Sequence, residues 1–197
     1  MTCAAPRLAK IRAAMSASRE ILVGVTGGIA AYKTAALVSD LVQSGVGVTV
    51  VMTRCAEKFV GAATFRALTG RQVATRSFPR DEHPLGPHIQ LARQAELLCI
   101  APTTANFLAK AAHGMADDLL STLLLSFTGP VVLAPAMNKE MWTKPAVQRN
   151  VAQLRQDGYH FVGPADGWQS CRERGVGRMA EPAEIAAAIR ALLDKGK

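Results

Sequence analysis

Short apolar runs alternate with longer amphipathic stretches from residue 21 to the end of the chain. The runs are rich in valine, isoleucine and leucine and carry no Asp, Glu, Lys or Arg. Such runs are typical of strands buried on both faces of a parallel sheet. They predict strands at residues 21–25, 46–52, 97–101, 131–134 and 159–162.

Apolar residues at helical spacing fill the intervals between these runs. They predict helices at residues 29–43, 56–68, 105–126, 144–157 and 181–194. Gly114 interrupts the third of these helices, so a turn or kink is expected there. Residues 71–87 contain three prolines and Gly86 and are predicted to form a loop.

Strand alternating with helix predicts the doubly wound α/β class, Rossmann-like or flavodoxin-like, with a parallel sheet and helices on both faces. A chain of 197 residues fits one domain of ordinary size. We expect a single domain over residues 20–197 and a disordered tail over residues 1–19. Met15 as the true start and a transit peptide both remain open for that tail.

Ligands in this class bind at the carboxyl ends of the strands. Gly27 and Gly28 follow the first strand and precede a helix, where backbone N–H groups favour a phosphate. A glycine there is also common in any tight turn. Thr53 ends the second strand where dinucleotide enzymes carry an acidic residue, which favours a mononucleotide. Thr103 and Thr104 follow the third strand, where either could bind a ligand or cap the next helix.

The formal net charge of +8 lies in two places, the first 20 residues and residues 54–80. Aromatic residues are not interleaved there, so a phosphorylated small molecule or a partner subunit suits the charge better than nucleic acid. The four cysteines include no CxxC pair, which argues against a metal site and a disulfide framework and favours the cytoplasm. No apolar run approaches the roughly 18 residues that span a membrane.

Four segments in order resemble motifs of the homo-oligomeric flavin-containing cysteine decarboxylases. Residues 135–142 (PAMNKEMW) match the PxMNxxMW motif at each defined position. The other three are similar to the flavin-phosphate turn, the active-site histidine stretch and the PASANT region, at residues 27–33, 88–91 and 101–119. The resemblance covers about residues 20–193.

A fifth segment distinguishes branches of that family. Residues 167–179 resemble the mobile flap G-x-L-A-C-G-x-x-G-x-G-R-M of the branch that decarboxylates phosphopantothenoylcysteine, and Cys171 matches its catalytic cysteine. Peptidyl-cysteine decarboxylases of lantibiotic synthesis lack this cysteine flap. The chain departs from the pattern at Trp168, Gln169, Ser170 and Arg172.

The resemblance implies an FMN-dependent carboxy-lyase that converts 4′-phosphopantothenoylcysteine to 4′-phosphopantetheine in coenzyme A biosynthesis. It implies His88 and Cys171 as catalytic residues and a substrate site at Asn138, Met141, Arg178 and Met179. It implies a cofactor site at Gly27, Gly28, Ile29, Thr53, Thr103, Thr104, Ala105, Asn106, Ala136 and Met137.

Each assigned residue also has an ordinary explanation. His88 could be a solvated loop histidine, Asn138 a helix cap, Cys171 one exposed thiol among four, and Met141 and Trp142 core side chains. His83, His113 and His160 are given no role.

The resemblance further implies a homotrimer or dodecamer with sites shared between subunits, and a separate phosphopantothenate–cysteine ligase. The alternatives are a peptidyl-cysteine decarboxylase and a flavin-binding regulatory subunit.

Overall fold

A computed structural model describes residues 19–77 and 86–195 of the chain. The predicted tail, apart from Arg19, and His83 lie outside the described residues. Five parallel strands form one sheet in the order β2-β1-β3-β4-β5, which is the flavodoxin-like order. The strands are β1 (Glu20–Val25), β2 (Gly47–Met52), β3 (Leu97–Thr103), β4 (Val131–Pro135) and β5 (His160–Phe161). All five predicted strands and the predicted fold class are confirmed.

Eight helices occur in the described part of the chain. They are α1 (Ala31–Gln43), α2 (Ala62–Thr69), α3 (Pro87–Gln94), α4 (Ala105–Ala112), α5 (Leu119–Ser126), α6 (Lys139–Trp142), α7 (Pro145–Gln156) and α8 (Pro182–Lys195). None of them is both long and apolar enough to cross a membrane.

The sheet is covered on both faces because alternate residues of its central strands enter different cores. Ile21, Val23 and Val25 of β1 pack with buried residues of α1, α2 and α8. Leu22 packs on the opposite face, in a cluster that includes residues of α4, α5 and α7. Strands buried on both sides need apolar residues at every position, which explains their unbroken runs.

The turn predicted at Gly114 is confirmed, since residues 105–126 divide there into α4 and α5 and the φ of Gly114 is +64°. Two other predicted segments differ in the structure. Residues 56–68 divide into a short 3-10 helix (Ala56–Lys58) and α2. The predicted loop at 71–87 gives way at Pro87 to α3, because proline suits a first helical position. His88 therefore lies on a helix rather than in a loop.

An antiparallel hairpin of β6 (Ala165–Trp168) and β7 (Arg174–Arg178) was not among the predicted strands. Its residues are glycine-rich and charged and do not alternate apolar with polar, so periodicity gives no strand signal. We call residues 165–178 the flap.

The end of β3 is shaped by a buried threonine hydroxyl. Thr103 Oγ1 donates to the Ile100 carbonyl at 2.6 Å and accepts from the Ala134 N–H at 3.1 Å. The pairing of β3 with β4 shifts register between Ile100 and Thr103, so these groups lie where the regular ladder is interrupted. The hydroxyl replaces the ladder bonds that the irregularity removes.

Thr103→Val is expected to lower the free energy of unfolding by about 2 kcal/mol, because valine removes the buried hydroxyl that bonds to both backbone groups. Thr64→Val on the exposed side of α2 is the matched control and should change it by no more than about 0.5 kcal/mol. Urea unfolding of both variants measures the difference. Equal stabilities would contradict a bridging role for the Thr103 hydroxyl.

Candidate active site

A cleft of about 910 Å³ opens at the carboxyl ends of β1, β3 and β4, where the strand order reverses. Most of the residues predicted from the sequence line it together. They are Gly27, Gly28, Ile29, Thr53, Thr104, Ala105, Asn106, Ala136, Met137, Asn138, Met141, Cys171, Arg178 and Met179.

The turn after β1 brings bare backbone to the cleft. A Cβ at Gly27 would lie 2.3 Å from the Cβ of Cys55, so only glycine allows the two chain segments this close approach. Ala30 precedes α1 without a side-chain cap. The Ala31 and Lys33 N–H groups bond to the carbonyls of Gly28 and Ala30, which leaves the Tyr32 N–H of the first turn for a ligand. The geometry suits a phosphate or another anion.

Thr104 combines the two roles that the sequence left open. Its hydroxyl accepts from the Phe107 N–H at 3.3 Å and caps α4, and the residue also lines the cleft. Thr103 does not line it, because its side chain is fully buried and its hydroxyl bonds to backbone groups. The structure gives no support to a side-chain contact between Thr103 and a ligand.

Lys33, Arg178 and Glu181 form one charged group at the edge of the cleft. Lys33 Nζ and the Arg178 guanidinium each lie 3.0 Å from Glu181 Oε1. The hydrogen bond from Lys33 holds the pKa of the Glu181 carboxyl below its usual range. Arg178 Nε is buried and has no hydrogen-bond partner within the described chain.

Lys110 forms a second charged group with two aspartates that precede α5. Its Nζ lies 2.7 Å from Asp117 and 2.9 Å from Asp118, and its hydrogen bond lowers the pKa of Asp117. Four cationic side chains line the described cleft, and three of them form ion pairs. Arg54 is the one that forms no ion pair with any described residue. An anion entering the cleft can therefore bind Arg54 without breaking an existing pair.

Asn138 and Cys171 meet across the mouth of the cleft. Asn138 Oδ1 accepts from the Glu140 N–H at 2.7 Å and caps α6, and its Nδ2 then donates to Cys171 Sγ at 3.3 Å. Since the cap fixes which amide atom is the acceptor, it also directs the N–H₂ group toward the thiol. The cap explanation for Asn138 is confirmed by this geometry, and the residue also lines the cleft.

Met141 is 46% exposed and lines the cleft, so the explanation that it is a core side chain is wrong. Trp142 is partly buried and packs against a core cluster. Met179 is fully buried and contributes to the wall of the cleft.

His88 does not join the other predicted residues in this chain. It lies in the first turn of α3, half-buried, and is not part of the cleft lining. Helix α3 packs on α5 and β1 rather than beside the flap. A single chain therefore holds Cys171 and Asn138 at the cleft without His88.

Sequence reasoning missed several residues of the lining. The sequence marks Gln169 only as a departure from the flap pattern, and Arg54 only as part of a basic segment. The proximity of Cys55 to Gly27 comes from the turn after β2, which no motif describes.

Residues 10–194 match the model of the Flavoprotein family. The chain belongs to this family. The Coenzyme A biosynthesis bifunctional protein CoaBC of Bacillus subtilis is 47% identical over 168 residues, which are 85% of this chain and 41% of the relative. That of Mycolicibacterium smegmatis is 47% identical over 181 residues, 92% of this chain and 43% of the relative. The flavoprotein chain thus spans about two fifths of these curated relatives.

Solved structures of similar proteins share the fold. The FMN-dependent cysteine decarboxylase SpaF superposes with a TM-score of 0.77 at 37% identity, covering 90% of this chain and 96% of its own. A cysteine-to-serine mutant of PPC decarboxylase in complex with pantothenoylaminoethenethiol superposes with a TM-score of 0.80 at 28% identity. The match covers 90% of this chain and 100% of the mutant chain. The resemblance to flavin-containing cysteine decarboxylases is confirmed.

Gly27→Ala is expected to lower the free energy of unfolding of this flavoprotein by about 2 kcal/mol, because the new Cβ overlaps Cys55. Gly28→Ala is the matched control, since its Cβ would meet Thr104 Cγ2 only at an ordinary 3.5 Å. The free energy of unfolding of Gly28→Ala should fall by less than about 1 kcal/mol. Urea unfolding compares them, and two equally stable variants would show that the close approach is not required.

Proposed function

We propose that this chain binds FMN and decarboxylates 4′-phosphopantothenoylcysteine to 4′-phosphopantetheine, a step of coenzyme A biosynthesis. The observation that carries the proposal is the contact of Asn138 with the flap thiol of Cys171, at 3.3 Å over the cleft. The CoaBC relatives support the pathway, and the PPC decarboxylase structure supports the reaction.

The residues of the cleft fit a flavin mononucleotide. The uncapped start of α1, the bare backbone of Gly27 and the unpaired Arg54 together suit one phosphate. Ile29, Ala136 and Met137 offer apolar surface to a flat ring. Thr53, which follows β2, has no acidic group for a second nucleotide ribose.

FMN, when bound, would take two electrons from the cysteine part of the substrate, creating an electron sink beside the carboxylate, and would return them after CO₂ has left. The side chains of the protein bind the carboxylate and supply the proton. The Asn138 amide holds the carboxylate with a neutral donor, whereas a cation would stabilise the ground state and oppose loss of CO₂. Cys171 donates the proton that completes the product.

A peptide ending in cysteine is the alternative substrate, because SpaF is an FMN-dependent cysteine decarboxylase at 37% identity. The flap with Cys171 favours phosphopantothenoylcysteine as the substrate, since the peptidyl-cysteine decarboxylases of lantibiotic synthesis lack this cysteine flap. Assaying the FMN-loaded protein with both substrates separates the two. Turnover of the peptide alone would overturn the proposal.

Cys171→Ser should release about one CO₂ per site and then stall, because a serine hydroxyl is far less acidic than a thiol and protonates the ene-thiolate slowly. The product should be lighter than phosphopantetheine by two hydrogens. The complex of the similar PPC decarboxylase mutant with pantothenoylaminoethenethiol, an ene-thiol, agrees with this expectation. Mass spectrometry and the visible absorption of the flavin measure it against wild type. Phosphopantetheine made at the wild-type rate would exclude Cys171 as the donor.

We further propose that the protein is a homo-oligomer, trimeric or dodecameric, in which His88 acts in the cleft of a neighbouring subunit. The separation of His88 from the cleft of its own chain supports this arrangement. Exposed apolar residues at the cleft mouth, Ile29, Tyr32 and Trp168, would be covered by the neighbour. The free thiols of Cys55, Cys99 and Cys171 agree with a cytoplasmic location.

Co-expressing His88→Asn with Cys171→Ser should restore activity that neither variant has alone. If each site takes His88 from one subunit and Cys171 from another, random mixing leaves about a quarter of the sites intact. If both residues came from one chain, no mixed site would be intact. Steady-state formation of phosphopantetheine by the mixed oligomer measures the restoration, with each homogeneous variant as control. A mixture no more active than its parents would contradict sharing.

A further inference from the structure

Gln169 is a buried polar side chain at the tip of the flap, only 7% exposed. All of its polar atoms are used. Its Oε1 accepts from the Lys139 N–H at 3.0 Å and from the Cys171 thiol at 3.6 Å, and its Nε2 donates to the Gly175 carbonyl at 3.3 Å. A buried amide is tolerated only when it is bonded in this way.

These bonds join the flap to the residue that follows Asn138. Lys139 begins α6 and Asn138 caps it, so an anchor on the Lys139 N–H sets the flap at a fixed distance from the Asn138 amide. The backbone of Gln169 also closes the flap tip, since its N–H donates to the Glu173 carbonyl at 2.9 Å and its carbonyl accepts from the Arg172 N–H at 3.0 Å.

The Cys171 thiol thus lies between two side chains of opposite hydrogen-bonding character. Gln169 Oε1 can bind only the protonated thiol, because a thiolate has no hydrogen to donate. Asn138 Nδ2 donates to the sulfur and is able to bind the thiolate that remains after the proton has left. The arrangement holds the proton on sulfur first and stabilises the negative charge afterwards.

We propose that Gln169 is a positioning residue for proton transfer, holding Cys171 protonated and aimed beside Asn138. This inference rests on the proposed decarboxylase function. In the step concerned, the S–H bond of Cys171 breaks and a C–H bond forms at the carbon that has lost CO₂. The sulfur keeps the electron pair and accepts the Asn138 N–H. FMN, when bound, would supply the two electrons that complete the product.

The test uses Gln169→Met, which keeps the length of the side chain and removes both polar groups. Its matched control is Glu173→Ala, which removes the other flap contact to Lys139, a 3.2 Å surface ion pair, without touching the thiol. Both variants, loaded with FMN, are given 4′-phosphopantothenoylcysteine, and the products are separated by mass.

Gln169→Met should release CO₂ within about threefold of the wild-type rate while the share of product lacking two hydrogens rises about tenfold. Glu173→Ala should leave that share unchanged. A loosened flap alone would slow both halves of the reaction without altering the product ratio. An unchanged ratio in Gln169→Met, or an equal rise in Glu173→Ala, would overturn the positioning role.

Alkylation of Cys171 by iodoacetamide gives a readout that does not depend on turnover. Without the Gln169 acceptor, the thiol should react about fivefold faster at neutral pH, since only the thiolate is alkylated. Mass spectrometry resolves Cys171 from the exposed Cys55, whose rate should not change. Equal Cys171 rates in wild type and Gln169→Met would overturn the contact. Wild type that releases no CO₂ would overturn the proposed function, and the alkylation rates would still decide whether Gln169 holds the thiol.

Discussion

One hydroxyl joins the two strand ends between which the cleft opens. Thr26 Oγ1 donates to the Pro102 carbonyl at 2.6 Å and accepts from the Thr104 N–H at 3.1 Å. The chain turns to opposite faces of the sheet after β1 and β3, so the backbone groups at this point lose their ladder partners. The Thr26 contact satisfies them and fixes the start of α1 relative to the start of α4. These two helix starts form one side of the cleft, opposite the flap and the residues that follow β4.

The sequence predicted the parts of this arrangement that depend on burial. A strand covered on both faces must be apolar throughout, and the five predicted strands are found for that reason. Cys99 in β3 illustrates the same constraint, because complete burial raises the pKa of its thiol to about 12 and leaves it inert. The position of the cleft followed from parallel strands ending at one edge.

The parts that depend on contacts between distant segments could not be predicted. His88 was expected in a loop because it follows Gly86 and Pro87, and no residue of α3 is buried in a core that would mark the helix. The meeting of Asn138 with Cys171 depends on Gly177, where a Cβ would lie 2.4 Å from the Met137 carbonyl oxygen. That glycine carries no signal in the sequence beyond its place in a motif. Only the docked flap explains why it must be glycine.

Arg172 adds a cost to the docked flap. Its φ of +64° is left-handed, and a residue with a side chain pays about 1 kcal/mol for that conformation where the resembled flap has glycine. The Arg172 N–H is held by the Gln169 carbonyl, so the residue that anchors the flap also maintains the strained turn. The Gln169 side chain contacts the Cys171 thiol, and the Gln169 backbone carbonyl holds the left-handed turn. One residue therefore sets both the position of the thiol and the backbone conformation beside it.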